Sequence, residues 1–173
     1  MEENKPNTGK FALNYGALLG GVSVVFILML YSLDMHYQGG GMVIGVSVIL
    51  SLAVIVLGMI QFKKANNGFM SFGQGLKVGV GISLVAGIIG IAMNQLMQGV
   101  IDPEMLNKAI EFQKGTMLEA GMTSDQIDAQ LEMGKTFQTP LMQILFGLLF
   151  SIVFGFLYSL IPALILKKTE TNQ

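Results

Sequence analysis

Long apolar stretches alternate with short polar ones along this chain. Four of the stretches, residues 11–33, 42–62, 78–97 and 141–166, contain no Asp, Glu, Lys or His. At about 1.5 Å per helical residue each reaches roughly 30–39 Å, enough to cross a hydrocarbon core of about 30 Å. A single charge at mid-bilayer costs on the order of 2.5–3.5 kcal/mol on the insertion scale, so four uninterrupted runs are a signature rather than an accident. The pattern predicts four membrane-spanning helices. Residues 98–140 read differently. There Leu106, Ala109, Ile110, Met117 and Leu118 recur at helical spacing among charged residues, which predicts an amphipathic helix. Asp102-Pro103-Glu104 is its expected start, with Asp102 as capping carboxylate and proline in the first turn. Gly121 is its expected end, and Thr123 with Gln126 forms a capping box that opens a shorter helix through Ile127, Leu131 and Met133. The apolar stripe is expected to pack on the outer ends of the membrane helices, with a partner-binding face as the alternative. The predicted fold is all-α: an integral membrane four-helix protein, a single membrane domain over residues 1–173, with an extracytoplasmic helical hairpin between helices three and four.

Charge sets the orientation. Lys5 and Lys10 precede the first span, Lys63, Lys64 and Lys77 surround the connection of the second to the third, and Lys167 and Lys168 follow the fourth. The segment 98–140 carries seven acids and three lysines, and Asp34 lies in the other loop on that side. Lysine excess marks the cytoplasmic face, so both termini are expected inside, in the inner membrane of a bacterium. The first run has 23 residues where a signal-peptide core has about 7–15, so it is expected to be retained as a span. Only 12% of residues are charged, against about 25% in a soluble domain.

Small residues predict how the helices meet. Gly147, Ser151, Gly155, Ser159 and Ala163 stand four apart in the fourth span, and Gly75, Gly79, Ser83 and Gly87 do so in the third. Residues at that spacing line one ridge, and lipid-embedded helices associate where such ridges let backbones approach. Packing of span three on span four is the expected use, and a homo-oligomer groove the alternative. Gly16 and Gly20 begin a similar ridge in span one, and Gly41 and Gly45 in span two. A faint repeat at an offset of 59 relates Lys5, Asn7, Gly9, Gly16 and Gly20 to Lys64, Asn66, Gly68, Gly75 and Gly79. Asn94 and Gln95 are expected to hydrogen-bond Gln143 across the same two spans. Between spans two and three, Asn67-Gly68 signals a turn. Lys63, Lys64, Phe69 and Phe72 suit an interfacial segment with rings and ammonium groups at the headgroups. Lys77 is expected to snorkel to that level, with capture of an anionic substrate as the sharper alternative.

Catalytic chemistry is not visible. Cysteine is absent and the one histidine, His36, sits in a short loop two residues after Asp34, where it is expected to be solvated rather than to hold a metal. Gly73-x-Gly75 opens a membrane helix and lacks the strand of a nucleotide-binding loop. No ionisable residue lies within a span, as proton-coupled transport would require. No catalytic, cofactor-binding or metal site is expected, and the acidic outer segment disfavours nucleic acid. The connection Phe62-Lys63-Lys64-Ala65-Asn66-Asn67-Gly68-Phe69-Met70-Ser71-Phe72, together with Ile101-Asp102-Pro103-Glu104 and the stretch from Thr123 to Ile127, resembles an uncharacterised bacterial membrane-protein family, domain of unknown function 4199, seen mainly in Bacteroidota. That resemblance covers nearly the whole chain and implies a four-helix inner-membrane protein without an assigned activity, substrate or cofactor. The expected function is a non-enzymatic membrane scaffold or accessory subunit, in contact with the lipid bilayer and with a second copy or a membrane-protein partner. The alternative is a small channel or transporter for a neutral solute, built as an oligomer.

Overall fold

The computed structural model describes residues 6–169; Lys5, the first member of the repeat, lies outside them. The chain forms α1 (Thr8–Ser32), α2 (Gly41–Ala65), α3 (Phe72–Leu96), α4 (Met105–Glu119), α5 (Ser124–Lys135) and α6 (Pro140–Leu166). A π-helical turn, Met97–Ile101, prolongs α3, and a 3-10 turn, Thr136–Gln138, joins α5 to α6. Helices α1, α2, α6 and the continuous 30-residue run Phe72–Ile101 are long and apolar enough to cross a membrane. The third span thus begins before Val78 and includes Lys77. Its glycines do not break it, because Ser71 and Gln74 form a capping box: the Gln74 N–H donates to Ser71 Oγ at 3.2 Å and the Ser71 N–H to Gln74 Oε1 at 2.8 Å.

Helix α3 is the hub. On one face it meets α6 antiparallel, and the two small-residue ridges interlock. A Cβ built on Gly75 would stand 2.9 Å from the Ala163 Cβ, one on Gly79 2.8 Å from the Ser159 Cβ, and one on Gly87 2.7 Å from the Ser151 Cβ. From the other side, a Cβ on Gly155 would stand 2.6 Å from the Ser83 Cβ, and one on Gly147 2.9 Å from Ile91. Each step of four along α3 meets a step of four back along α6. Two of the hydroxyls on this seam are paired: Ser151 and Ser159 donate to the Gly147 and Gly155 carbonyls of their own helix.

On its other face α3 runs parallel to α1. Gly16 receives Val85, Gly20 receives Ile89, and Gly81 receives Ala12. Helix α2 joins through its second half only, where Val54, Ile55, Gly58, Met59 and Phe62 are buried. Its first half is unpartnered: Met42 is 80% exposed, Ile49 67%, and nothing lies within 4 Å of the Cβ positions of Gly41 and Gly45. The expected ridge there packs on nothing. The repeat finds no counterpart in packing either, since Gly16 and Gly20 face α3 whereas Gly75 and Gly79 face α6.

The lysine-rich end is closed by a backbone tie. Asn67 and Gly68 turn the chain at φ of 54° and 83°, which relieves the steric conflict of a tight reversal. Met70, fully buried, then exchanges two backbone hydrogen bonds of 2.9 Å with Lys168. At the acid-rich end α4 stops at Glu119, followed by Gly121 at φ 82°. Helix α5 opens with its capping box, the Thr123 N–H donating to Gln126 Oε1 at 2.9 Å. Met117 and Ile127 are buried, but Leu118 and Met133 are 56% and 69% exposed. The hairpin packs on itself, on the turns at its base and, through Lys108 and Phe112, on Tyr37 of the α1–α2 loop, and not on helices α1, α2 or α6. The sequence expectation of a stripe laid on the bundle is corrected accordingly. With charge on most of its surface and a rigid turn at each base, the hairpin buries its few apolar residues most readily against itself.

The α3–α6 seam generates a direct test. Gly155→Leu is expected to lower the melting midpoint in detergent, because overpacking typically costs about 1–3 kcal/mol. Val153→Leu, at a position 43% exposed, and Gly21→Leu, with nothing within 4 Å of its Cβ position, are expected to match the parent. Equal midpoints for all the variants would place the ridge against lipid.

Candidate functional site

Three polar constellations interrupt the apolar bundle. The first lies at the acid-rich end, where the loop after α1 folds back on the start of α4. His36, with a side chain only 1% exposed, places Nε2 2.9 Å from Asp102 Oδ2. Lys108, one and a half turns further along, donates Nζ to the same oxygen at 2.9 Å. A carboxylate only accepts, so His36 donates to Asp102 from Nε2. Its Nδ1 is buried without a hydrogen-bond partner among the described residues. Aromatic edges enclose the imidazole, Tyr31 at 5.0 Å and Tyr37 at 5.3 Å between ring centres. Tyr37 in turn meets Phe112 of α4 at 6.4 Å, and the Lys108 ammonium stands 6.0 Å above the Tyr37 ring.

This cluster corrects one expectation: His36 is not solvated. Glu104 occupies the cap position of α4 without a side-chain bond, and the Asp102 carboxylate, beside the Glu104 backbone N–H, also takes His36 and Lys108. Its partners lie 66 and 6 residues away, and the first distance is invisible to local pattern. The available signal was the coincidence of a lone histidine and a proline-flanked aspartate on the same predicted side. The Lys108 hydrogen bond holds the Asp102 pKa below its ordinary value, helped by His36 and opposed by burial. Asp102 in turn holds the Lys108 pKa above the ordinary lysine value. An Asp–His pair is half of a nucleophile-activating arrangement, but no group of three His, Cys, Asp or Glu converges among the described residues and no nucleophile faces Nδ1. Geometrically the cluster is a clasp that fixes the hairpin base to the α1–α2 loop.

The second constellation lies where the π-helical turn meets α6. Gln143 Oε1 accepts from Asn94 at 3.3 Å, Gln95 at 3.1 Å and Gln98 at 3.3 Å. Asn94 and Gln95 were legible from sequence; Gln98, four residues after Asn94 and on the same helix face, lies just past the expected end of the span at Met97 and was not singled out. The Gln143 amide returns a bond to Gln98 Oε1 and one to the Gln138 carbonyl.

The third is a cleft of about 300 Å³ among α1, α2, α3 and α6. Ser23, Ser51, Ser83 and Ser151 line it opposite the rings of Phe154 and Tyr158. It exists because the first half of α2 stands off the bundle. Ser23, Ser51 and Ser151 donate to carbonyls of their own helices. Their lone pairs are the free hydrogen-bonding capacity they bring to the cleft.

The interfacial residues divide. Lys64 and Lys77 are exposed and Lys63 is half-buried. Phe69 lies beneath the Lys168 ammonium, 5.4 Å from ring centre to nitrogen. Phe72 packs against the buried cluster of Phe62, Met70 and Val78 rather than standing free among headgroups.

Four spanning helices locked by small-residue seams, with polar groups confined to the span ends and one lateral cleft, define a multi-pass α-helical membrane protein. The chain belongs to the family described as "Protein of unknown function (DUF4199)", which matches residues 14–168. No curated protein and no solved structure matches it.

The clasp has a pH signature. A carboxylate whose folded pKa lies below its unfolded value adds stability that is full above the unfolded value and lost as pH falls through the folded one. Asp102→Asn is therefore expected to melt below the parent at pH 7. Between about pH 5 and pH 2 the parent is expected to lose more stability than the variant, narrowing the gap. Parallel melting curves across that range would remove the clasp as a contributor to stability.

Proposed function

We propose that the protein is a non-enzymatic scaffold or accessory subunit of a bacterial inner membrane, with both termini cytoplasmic and the α4–α5 hairpin on the opposite side. The observation that carries this reading is the hairpin itself. Its base is clasped by Asp102, while Leu118 and Met133 are 56% and 69% exposed. Apolar side chains held outward on a charged, anchored element suit contact with another protein. The small-residue ridges of α1, α3 and α6 are engaged within the chain, and the hairpin is the surface this reading assigns to partners or a second copy. The distribution of lysines supports the orientation.

A second reading, a carrier for a neutral solute, draws on the serine-lined cleft. Flux of an uncharged solute in reconstituted vesicles, abolished by Ser83→Leu, would favour it over the scaffold.

A photo-crosslinking residue at Leu118 or Met133 is expected to capture one protein of constant mass in native membranes. That protein is expected to co-purify at fixed ratio and to be lost from a Leu118→Glu/Met133→Glu variant. Crosslinks to lipid alone from both positions would end the scaffold reading. Orientation is tested separately, without background because the chain has no cysteine. Asp125→Cys is expected to react with an impermeant thiol reagent in intact cells and Asn66→Cys only after lysis. The reverse pattern would invert the topology.

A further inference from the structure

The charges of the described residues are sorted by end. Lys10, Lys63, Lys64, Lys77, Lys167 and Lys168 gather at one end, and every carboxylate among the described residues lies at the other. None of these lysines has an ion pair among the described residues; the ion pairs found involve His36, Lys108 and Lys135, all at the acidic end. Six ammonium groups at one level repel one another unless something anionic joins them. We propose that this collar binds an anionic phospholipid, with the phosphate held between the lysines after α6 and those around the α2–α3 connection.

Two features of the structure select a lipid over a free phosphate or a nucleic acid. The Met70–Lys168 backbone pair fixes Lys167 and Lys168 beside the loop that follows Lys63 and Lys64, so lysines from distant parts of the sequence share one height. Directly below on α6, Ile161, Leu164 and Ile165 are 68%, 50% and 75% exposed. A wall of apolar side chains under a rim of ammonium groups complements a charged head carrying acyl chains. Lys77, more than a turn inside α3, reaches the same headgroup level by laying its stem along the helix. The proposal depends only on the chain spanning a membrane and holds for either orientation, so it stands or falls separately from the scaffold reading.

Native mass spectrometry of the purified protein in neutral detergent, titrated with phosphatidylglycerol, phosphatidylcholine or glycerol phosphate, tests it. Phosphatidylglycerol is expected to bind in preference to the other two and to be released at about 1 M salt, where the screening length falls to about 3 Å. Replacing Lys63, Lys64, Lys167 and Lys168 by Gln is expected to weaken binding about fivefold per lysine removed. Replacing the same residues by Arg is expected to preserve it. Lys114→Gln/Lys135→Gln, at the opposite end, serves as control. Equal binding of the choline lipid, equal binding of glycerol phosphate, or full binding by the four-Gln variant would each overturn the proposal. If that variant does not fold, the lipid preference and salt release of the parent decide.

Discussion

Everything in this fold hangs on backbone approach between α3 and α6. Lipid chains are as apolar as leucine, so burying leucine between helices gains little in a bilayer, and contact must come from dispersion at short range. Glycine and serine at every fourth position supply that range over the length of the seam. With α6 locked to one face of α3 and α1 to the other, only the basic half of α2 finds a third place against the hub. The lateral cleft lies where α2 stands off, since the small residues of α3 face α6 and α1 and leave α2 no close approach along its first half.

How far the structure could be read from the chain depended on the reach of each cause. The spans, the α3–α6 ridges, the Gln143 bonds from Asn94 and Gln95, and the capping box at Thr123 all follow from residues within a few turns of one another or from the four-residue period. Other features needed information from far along the chain. His36 reaches Asp102 across the whole of α2 and α3, and Met70 pairs with Lys168 near the other end of the chain. The early start of α3 was hidden differently: the uncharged run begins only after Lys77, whereas the helix opens more than a turn earlier at the Ser71 cap. Gln98 escaped because it lies one residue past the end of that run, although it shares a helix face with Asn94. The hairpin was legible as two helices but not in its placement, since an amphipathic stripe does not say which neighbour it will find.

The two ends of the molecule are built on opposite electrostatic plans. At the acidic end a buried carboxylate is paired with a lysine and hydrogen-bonded by a histidine from within the chain, and the result is a closed junction. At the basic end the lysines have no ion pair among the described residues, and the junction is made by main-chain hydrogen bonds instead.

The order of the helices along the chain gives the seam a history. A ribosome delivers α1, α2 and α3 to the membrane before the forty-odd residues of hairpin and then α6 emerge. During that interval the groove of Gly75, Gly79 and Gly87 can have only lipid against it, while the parallel contact with α1 is already available. The three early helices therefore make a provisional assembly whose most adhesive surface is still vacant. Any other helix with small residues four apart that passes by in that window is a rival for α6, and the tether through the hairpin is what keeps the rightful partner at high local concentration.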